Sequence, residues 1–300
     1  MTAKPILVIG RNGQLARSLS AVGGTRVMCV GRPEIDLANC ESISSALAAV
    51  APRVVINAGA YTSVDKAESE IADAFAINQD GPASLAVLCQ AAGIPLIHIS
   101  TDCVFDGTKP EPYDPEDIAH PLSVYGRSKL AGEQAVRDVL AQHIIVRVSW
   151  VFSEFSHNFV RTMLQLAQSR TEVVVVNDQV GFPTYAPALA SGLLRIADFS
   201  IEPGFTGWGT YHLAGNEAID RAGMAREIFQ ESRSLGGPSA HVRAVRTAEY
   251  PTPAERPLNA RLSSLKANRV FGVELPGWHA GLSKSIAMLV PELNDDGKGT

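Results

Sequence analysis

The stretch PLSVYGRSKLAGE, residues 121–133, contains the clearest candidate for chemistry in this sequence. Tyr125 and Lys129 are four residues apart, so in a helix both side chains leave the same face. Ser123 can cap the amino end of that helix. A tyrosine has an ordinary pKa of about 10, and a cation one turn away should lower it by stabilising the phenolate. The pair predicts a proton donor with a tuning cation, although so short a motif also occurs by chance.

A serine–threonine–aspartate sequence is the second candidate for chemistry. The run LIHISTDCVFDG places Thr101 and Asp102 at the carboxyl end of a predicted strand. A hydroxyl at that position can donate a hydrogen bond to a substrate carbonyl. Strand ends also carry such residues merely as caps, so this run alone leaves both interpretations open.

A glycine-rich turn near the N-terminus is the candidate cofactor site. In VIGRNGQLA, Gly10, Gly13 and Ala16 follow a predicted strand and open a predicted helix. Gly10 permits a tight turn, Gly13 lets the backbone approach a pyrophosphate, and Ala16 allows close packing of the helix on the sheet. The strand–turn–helix context predicts dinucleotide binding.

The end of the second predicted strand, VGRPEIDLAN, bears on the choice of cofactor. A carboxylate there favours NAD, whereas an arginine suits the 2′-phosphate of NADP. Arg32 occupies the position and Asp36 follows, so NADPH is predicted and NADH stays an alternative. After the third strand, small residues in NAGAYTSVDKAE leave room for the cofactor. The predicted cofactor-binding residues are Gly10, Arg11, Asn12, Gly13, Gln14, Leu15, Arg32, Asp36, Leu37, Ala58, Gly59, Ala60, Tyr61, Thr62, Tyr125 and Lys129.

Short apolar runs alternate with longer helical patterns in the first 176 residues. This alternation predicts an α/β fold with a doubly wound, Rossmann-like parallel sheet in a dinucleotide-binding domain, residues 1–176. Later in the chain glycine and proline are frequent, which predicts a smaller C-terminal substrate-binding lobe of residues 177–209 and 215–293. A strand at 210–214 is predicted to return to the first sheet, and residues 294–300 to form a frayed tail. Strands are predicted at 5–9, 26–30, 54–57, 96–100 and 144–148, and helices at 14–22, 42–50, 73–92 and 124–140.

Composition excludes several classes of function. The 300 residues carry a net charge of −5 and no run of Lys or Arg, which argues against nucleic acid or an anionic membrane as a partner. No apolar run approaches a membrane span and the N-terminus lacks a signal-peptide pattern, so a cytoplasmic location is predicted. Cysteines and histidines show no ligand spacing, so no metal is predicted. The four cysteines, predicted as free thiols, are Cys29, Cys40, Cys89 and Cys103.

Taken in their order, these motifs resemble the extended short-chain dehydrogenase/reductase superfamily, and within it the dTDP-4-dehydrorhamnose reductase family. Two departures stand out: Cys103 occupies a position where the family commonly has Tyr, and the first helix reads LARSLS where some relatives place a magnesium-binding carboxylate. The motifs that carry the resemblance are GRNGQLA, NAGAYTSVDKAE, ISTDCVFDG, VYGRSKLAGE, VRVSWVF, VNDQVGFPT, YHLAG and RPLNARL, between Gly10 and Leu262.

The resemblance implies NAD(P)H-dependent reduction of the C4 ketone of dTDP-4-dehydro-β-L-rhamnose to dTDP-β-L-rhamnose. It implies that Thr101, Tyr125 and Lys129 are catalytic, and it is compatible with a homodimer. Two alternatives stay open: a reductase or epimerase of another nucleotide-4-keto-6-deoxy sugar, and a non-catalytic NADP-binding regulatory subunit of the same fold. The substrate-facing residues that it implies are Val64, Thr101, Asp102, Cys103, Trp150 and Arg256.

Overall fold

A computed structural model describes residues 4–296 of the chain. Strands and helices alternate through its first half, as predicted. The strands are β1 (Ile6–Ile9), β2 (Val27–Val30), β3 (Val54–Asn57), β4 (Leu96–Thr101), β5 (His143–Val148), β6 (Val151–Phe152), β7 (Glu172–Val176), β8 (Val180–Gly181), β9 (Thr184–Tyr185), β10 (Gly209–His212), β11 (Ile219–Asp220), β12 (His241–Val245) and β13 (Asn259–Ala260). The α-helices are α1 (Gln14–Gly23), α2 (Cys40–Val50), α3 (Val64–Ala67), α4 (Ile71–Phe75), α5 (Gly81–Ala92), α6 (Val124–Val139), α7 (Phe159–Ala167), α8 (Ala186–Ser200), α9 (Arg221–Ser234), α10 (Leu265–Phe271) and α11 (His279–Asp296).

Six strands form one parallel sheet in the spatial order β2-β1-β3-β4-β5-β10. Strands β1 and β3 are buried along their whole length, as the apolar runs predicted for a sheet covered on both faces. The chain starts at β1 and reverses direction across the sheet between β1 and β3. In such sheets ligands bind in the crevice at the carboxyl ends of the strands where this reversal occurs. The doubly wound α/β fold is thereby confirmed.

Helices cover both faces of this sheet. On one face Leu19 of α1 and Leu193 of α8 belong to an apolar cluster with β1 and β3. On the other face Leu47 of α2, Leu85 of α5 and Val136 of α6 form a second cluster. Helix α6, which carries the candidate acid and its cation, therefore lies directly against the sheet.

The helix predicted over 73–92 is present as an unbroken helical run from α4 to α5. A short π-helical segment, Ala76–Asp80, lies within it and was not predicted. Within it Asn78 is buried, and its side chain accepts from Tyr61 N at 2.9 Å and donates to Tyr61 O and Ser128 Oγ, both at 3.0 Å. This wider helical turn directs the Asn78 side chain inward, where its hydrogen bonds connect the loop after β3 to α6.

The second lobe has its own apolar core and draws on residues from both sides of position 177. Val160 of α7 and Val173 of β7 pack with Ile228 of α9 and Ile286 of α11. Strand β7 pairs with β12 rather than with the central sheet. Segment 152–176, which the sequence assigned to the first domain, thus packs in the second lobe, whereas Val151 and α8 pack on the first. An amphipathic helix buries its apolar face equally well against either core, so periodicity does not specify which lobe it joins.

Two further boundaries concern the C-terminal half. Strand β10 pairs in parallel with β5, so the chain returns to the central sheet at Gly209–His212. Helix α11 continues to Asp296, into the segment 294–300 that was predicted to be frayed. Residues 297–300 lie outside the described part of the chain.

Candidate active site

Helix α6 presents Tyr125 and Lys129 in its first two turns. Ser123 is the N-cap, as predicted, and its hydroxyl accepts from Gly126 N at 3.1 Å. The Lys129 ammonium is almost wholly buried, with 2% of the residue exposed, and donates to the Ile99 carbonyl oxygen at 2.7 Å. This bond attaches Lys129 to the end of β4.

Thr101 lies at the carboxyl end of β4, next to Tyr125. Its Oγ1 accepts from Cys103 N at 3.1 Å and lies 2.9 Å from Asp102 Oδ1. Burial raises the pKa of Tyr125, negative charge on Cys103 or Asp102 raises it further where those groups ionise, and a hydrogen bond with Thr101 acts in the opposite direction. The phenol is therefore protonated throughout the neutral range, as a proton donor must be.

The expected tuning of Tyr125 by Lys129 is wrong for the structure described. The pKa of Tyr125 is raised rather than lowered, and Lys129 is not among the groups that change it. Burial instead lowers the pKa of Lys129 itself to about 8, which the nearby carboxylate of Glu133 partly opposes. The Lys129 ammonium donates its hydrogen bond to the Ile99 carbonyl oxygen. The prediction from sequence assumed instead that the ammonium faces the Tyr125 phenol.

The glycine-rich turn lies at the carboxyl end of β1, in the crevice where the sheet reverses. Gly10 has φ +123°, a conformation that favours glycine, and a Cβ placed on it would lie 3.5 Å from the Ala58 carbonyl carbon. Gly13 is the N-cap of α1, and a Cβ on it would meet no atom within 4 Å. The exposed turn and the amino end of α1 thus leave open space in which a pyrophosphate fits.

Neighbouring segments hold this turn in place. Gln14 donates to Val151 O at 3.0 Å, Ser156 donates to Asn12 O, and Leu15 is buried. Across the crevice the loop after β3 contains Ala58, Gly59, Ala60, Tyr61 and Thr62, and the side chain of Asn57 accepts from Gly59 N at 3.2 Å.

The loop after β2 contains the predicted determinants of cofactor choice. Arg32 is exposed at its start, and Leu37 is buried. Asp36 uses its carboxylate within the loop, where Oδ1 accepts from Ala38 N at 3.0 Å. Arg11 pairs with Glu34 at 2.8 Å, a carboxylate that the sequence reading overlooked.

The predicted substrate residues come from both lobes. Val64 begins α3, beside Asp65, which pairs with Arg256 at 2.8 Å. Trp150 follows β5 in a left-handed conformation, φ +46°, and its ring lies so close to Gly181 that a Cβ there would come within 2.5 Å of it. The arrangement brings a cation and an aromatic ring to the same edge as Thr101.

Comparison with known proteins gives the family. The sequence model of the RmlD substrate binding domain matches residues 3–290. This chain belongs to that family. A dTDP-4-dehydrorhamnose reductase of Sinorhizobium fredii (strain NBRC 101917 / NGR234) is 41% identical over 97% of this chain and 99% of its own length. That of Escherichia coli (strain K12) is 37% identical over 94% of this chain and 96% of its own length.

Solved structures of RmlD-family reductases agree with the fold. The dTDP-4-dehydrorhamnose reductase of Bacillus anthracis, in complex with NADP, superposes with a TM-score of 0.86 at 32% identity, covering 95% of this chain and 99% of that chain. The Clostridium acetobutylicum protein gives 0.87 at 33% identity with the same coverage. The resemblance inferred from the motifs is confirmed.

Two residues of this RmlD-family site were missed by sequence reasoning. Arg221, at the start of α9, places its guanidinium 3.5 Å from the centroid of the Trp150 ring. Ser149 is buried beside Asp102, with Oγ 3.3 Å from Asp102 Oδ2. Neither belongs to a spacing pattern that indicates chemistry; Asp220 before Arg221 indicates only a helix start.

Two further features of the described residues concern metals and membranes. Within 4–296 no group of three or more His, Cys, Asp or Glu side chains is arranged to hold a metal ion. None of the helices in that range combines the length and apolar composition that crossing a membrane requires.

Proposed function

We propose that this chain reduces the C4 ketone of dTDP-4-dehydro-β-L-rhamnose to dTDP-β-L-rhamnose, the last step of dTDP-rhamnose synthesis, with NADPH as cofactor. The observation that carries the proposal is that Thr101, Tyr125 and Lys129 gather at the carboxyl end of β4, in a chain of the RmlD family with a glycine-rich turn at the carboxyl end of β1. Fold alone would not support it, because one fold supports many functions.

The chain's own residues divide the work of a ketone reduction. Bound nicotinamide supplies the hydride that the C4 carbon receives. Tyr125 then delivers its proton to the C4 oxygen, and its raised pKa keeps that proton available at neutral pH. Thr101 donates a hydrogen bond to the same oxygen and stabilises the developing negative charge. Lys129 is proposed to bind the nicotinamide ribose.

Substrate recognition is proposed for both lobes. Val64, Asp102, Cys103 and Trp150 would line the sugar, and Arg256 would bind the diphosphate. Its pair with Asp65 uses one edge of the guanidinium, and an arginine has five N–H donors in a planar fork. The remaining donors are available to phosphate oxygens.

Cofactor choice is proposed to depend on Arg32. Its exposed guanidinium at the end of β2 is free to bind a 2′-phosphate, which favours NADPH, with NADH as the alternative. The four cysteines are free thiols, which supports the proposed cytoplasmic location.

The proposed function is tested by following the loss of NADPH absorbance as the cofactor is oxidised. The purified protein is mixed with NADPH and the dTDP-4-keto sugar, and oxidation is followed together with the sugar product. We expect NADPH to be consumed in equal amount to the dTDP-rhamnose formed. Sugar conversion without net NADPH oxidation would indicate an epimerase. Binding of NADPH with no conversion of any dTDP-4-keto-6-deoxy sugar would indicate a regulatory subunit and overturn the proposal.

A further inference from the structure

Asp102 lies between Thr101 and Cys103 and is largely buried, with 7% exposed. Its Oδ1 is 2.9 Å from Thr101 Oγ1 and its Oδ2 is 3.3 Å from Ser149 Oγ. Ser149 Oγ is also only 2.7 Å from Ala260 O. A hydroxyl has one proton, and the shorter contact takes it. Ser149 therefore gives a carboxylate at Asp102 only a weak, secondary hydrogen bond in this geometry.

Among the groups that face Asp102 from other elements, one charge acts on its pKa. Arg221 of α9 is the cation that acts on it most, yet no cation lies within 4 Å of the carboxyl among the described residues 4–296. Tyr125 of α6 and the adjacent Cys103 add no positive charge, and Arg256 acts on Cys103 and Arg221 rather than on Asp102.

An ionised Asp102 is therefore poorly supported. Burial raises the pKa of Asp102. Four weaker effects lower it: the hydrogen bond from Thr101, the charge of Arg221, a hydrogen bond from the Asp102 backbone amide and the contact with Ser149. With no ion pair and one good side-chain donor, this buried carboxyl holds a proton more strongly than an aspartate in water does.

The protonation state of Asp102 decides the direction of its bond with Thr101. The hydroxyl oxygen of Thr101 already accepts from Cys103 N at 3.1 Å, which leaves one lone pair and one proton for its contacts with Asp102 and with the Tyr125 phenol. Against a carboxylate, Thr101 must donate that proton to Oδ1, and none is left for a ketone. Against a carboxylic acid, Thr101 accepts a second bond, and its own proton is directed at the Tyr125 side, where a ketone oxygen can take it. Of the two positions for the acid proton, the 2.9 Å contact with Thr101 is shorter than the 3.3 Å contact with Ser149.

We propose that Asp102 is a neutral carboxylic acid in the resting enzyme, and that by donating to Thr101 it frees the Thr101 hydroxyl proton for the C4 oxygen of the substrate. Asp102 is then a positioning residue that acts through Thr101 and loses no proton during the reaction. The role of the freed proton rests on the proposed function; the neutral state of Asp102 does not. A carboxylic acid kept neutral by its site is an established type of hydrogen-bond donor in enzymes.

Infrared spectroscopy tests the neutral state without any turnover. The wild-type spectrum at pH 7 minus that of Asp102→Asn should contain the C=O stretch of a protonated carboxylic acid. Ser149→Ala is the matched control and should keep this band, because Ser149 donates to Ala260 instead. Absence of the band in the folded wild-type protein overturns the proposal, whether or not the protein reduces a sugar.

Kinetics test the effect on Thr101. In Asp102→Asn the amide donates permanently in place of the acid, so kcat should stay within about tenfold of wild type, whereas Asp102→Leu should lose on the order of 10²-fold, the usual effect of losing one donor to a developing oxyanion. Cofactor affinity, measured by NADPH fluorescence, should be unchanged in both and confirms that each variant is folded.

The pH profile separates positioning from a packing role. Ionisation of Asp102 takes the Thr101 proton away, so wild-type kcat should fall as pH rises through the Asp102 pKa. Asp102→Asn should lack that limb. Arg221→Gln removes a charge that lowers this pKa, so the limb should move to higher pH. A limb that persists in Asp102→Asn, or equal losses in the Asn and Leu variants, would show that Thr101 does not depend on a neutral Asp102.

Discussion

Replacing Lys129 with methionine is expected to make the protein more stable while removing its activity. The ammonium is buried, and burial lowers the Lys129 pKa from 10.5 to about 8. At about 1.4 kcal/mol per pKa unit, the charged form is penalised by about 3 kcal/mol in the folded state. Methionine keeps most of the apolar stem but loses the bond to Ile99 O, which is worth about 1 kcal/mol. The free energy of unfolding should therefore rise by about 2 kcal/mol at pH 7.

The sign of the pH dependence follows from proton binding. Between the folded pKa of about 8 and the unfolded value of 10.5, the unfolded chain binds more protons, so wild-type stability rises with pH through this window. The gain in free energy of unfolding of Lys129→Met over wild type is therefore largest below pH 8 and should shrink towards zero by about pH 10.

Urea unfolding at pH 7 and pH 10 measures both effects. Lys284→Met is the matched control, since Lys284 is an exposed lysine on α11 and should show no such gain. The reasoning fails if Lys129→Met is less stable than wild type at pH 7, or if its gain is as large at pH 10. Activity should be lost at both pH values, because the proposed contact with the nicotinamide ribose is removed.

Other substitutions test other parts of the site. Tyr125→Phe should lower kcat by on the order of 10²–10⁴ while leaving NADPH affinity nearly intact, and wild-type kcat at saturating substrate would exclude Tyr125 as the acid. Arg32→Asp should raise KM for NADPH and shift kcat/KM towards NADH; an unchanged ratio would show that another residue binds the 2′-phosphate. Gly126→Ala would place a Cβ 2.2 Å from the Cys103 carbonyl oxygen, so both Tm and kcat should fall, and retention of both would contradict the close packing of α6.

The sequence predicted those parts of the fold that depend on local patterns. Buried apolar runs indicated the central strands, and the side chain of Ser123 indicated the start of α6 at the correct residue. The π-helical segment was not predictable, because Asn78 is stabilised by Tyr61 and Ser128, which lie far from it in sequence. Assignment of α7 to a lobe failed for the same reason: its apolar face specifies burial but not the partner.

In the candidate site, too, local sequence patterns predicted some features and three-dimensional packing determines the others. Thr101, Tyr125 and Lys129 were predicted from short motifs that indicate the chemistry, and their catalytic roles stay a prediction. The surroundings of these three side chains were not predicted, because they depend on burial and on residues that belong to no recognisable sequence motif. Arg221 reaches the site from the second lobe, and the raised pKa of Tyr125 follows mainly from burial of its phenol.

The small residues around Tyr125 now have a physical explanation. On a solvated helix Gly126 and Gly132 would only weaken α6, since each costs about 1 kcal/mol relative to alanine. Here a Cβ on Gly126 would lie 2.2 Å from Cys103 O, and one on Gly132 would lie 1.9 Å from Asn78 O. Both glycines therefore allow α6 to approach neighbouring backbone more closely than any other residue would. At Gly126 that approach brings the first turn of α6, with Tyr125, against the end of β4 that carries Thr101, so the proposed acid and hydroxyl depend on this glycine for their closeness.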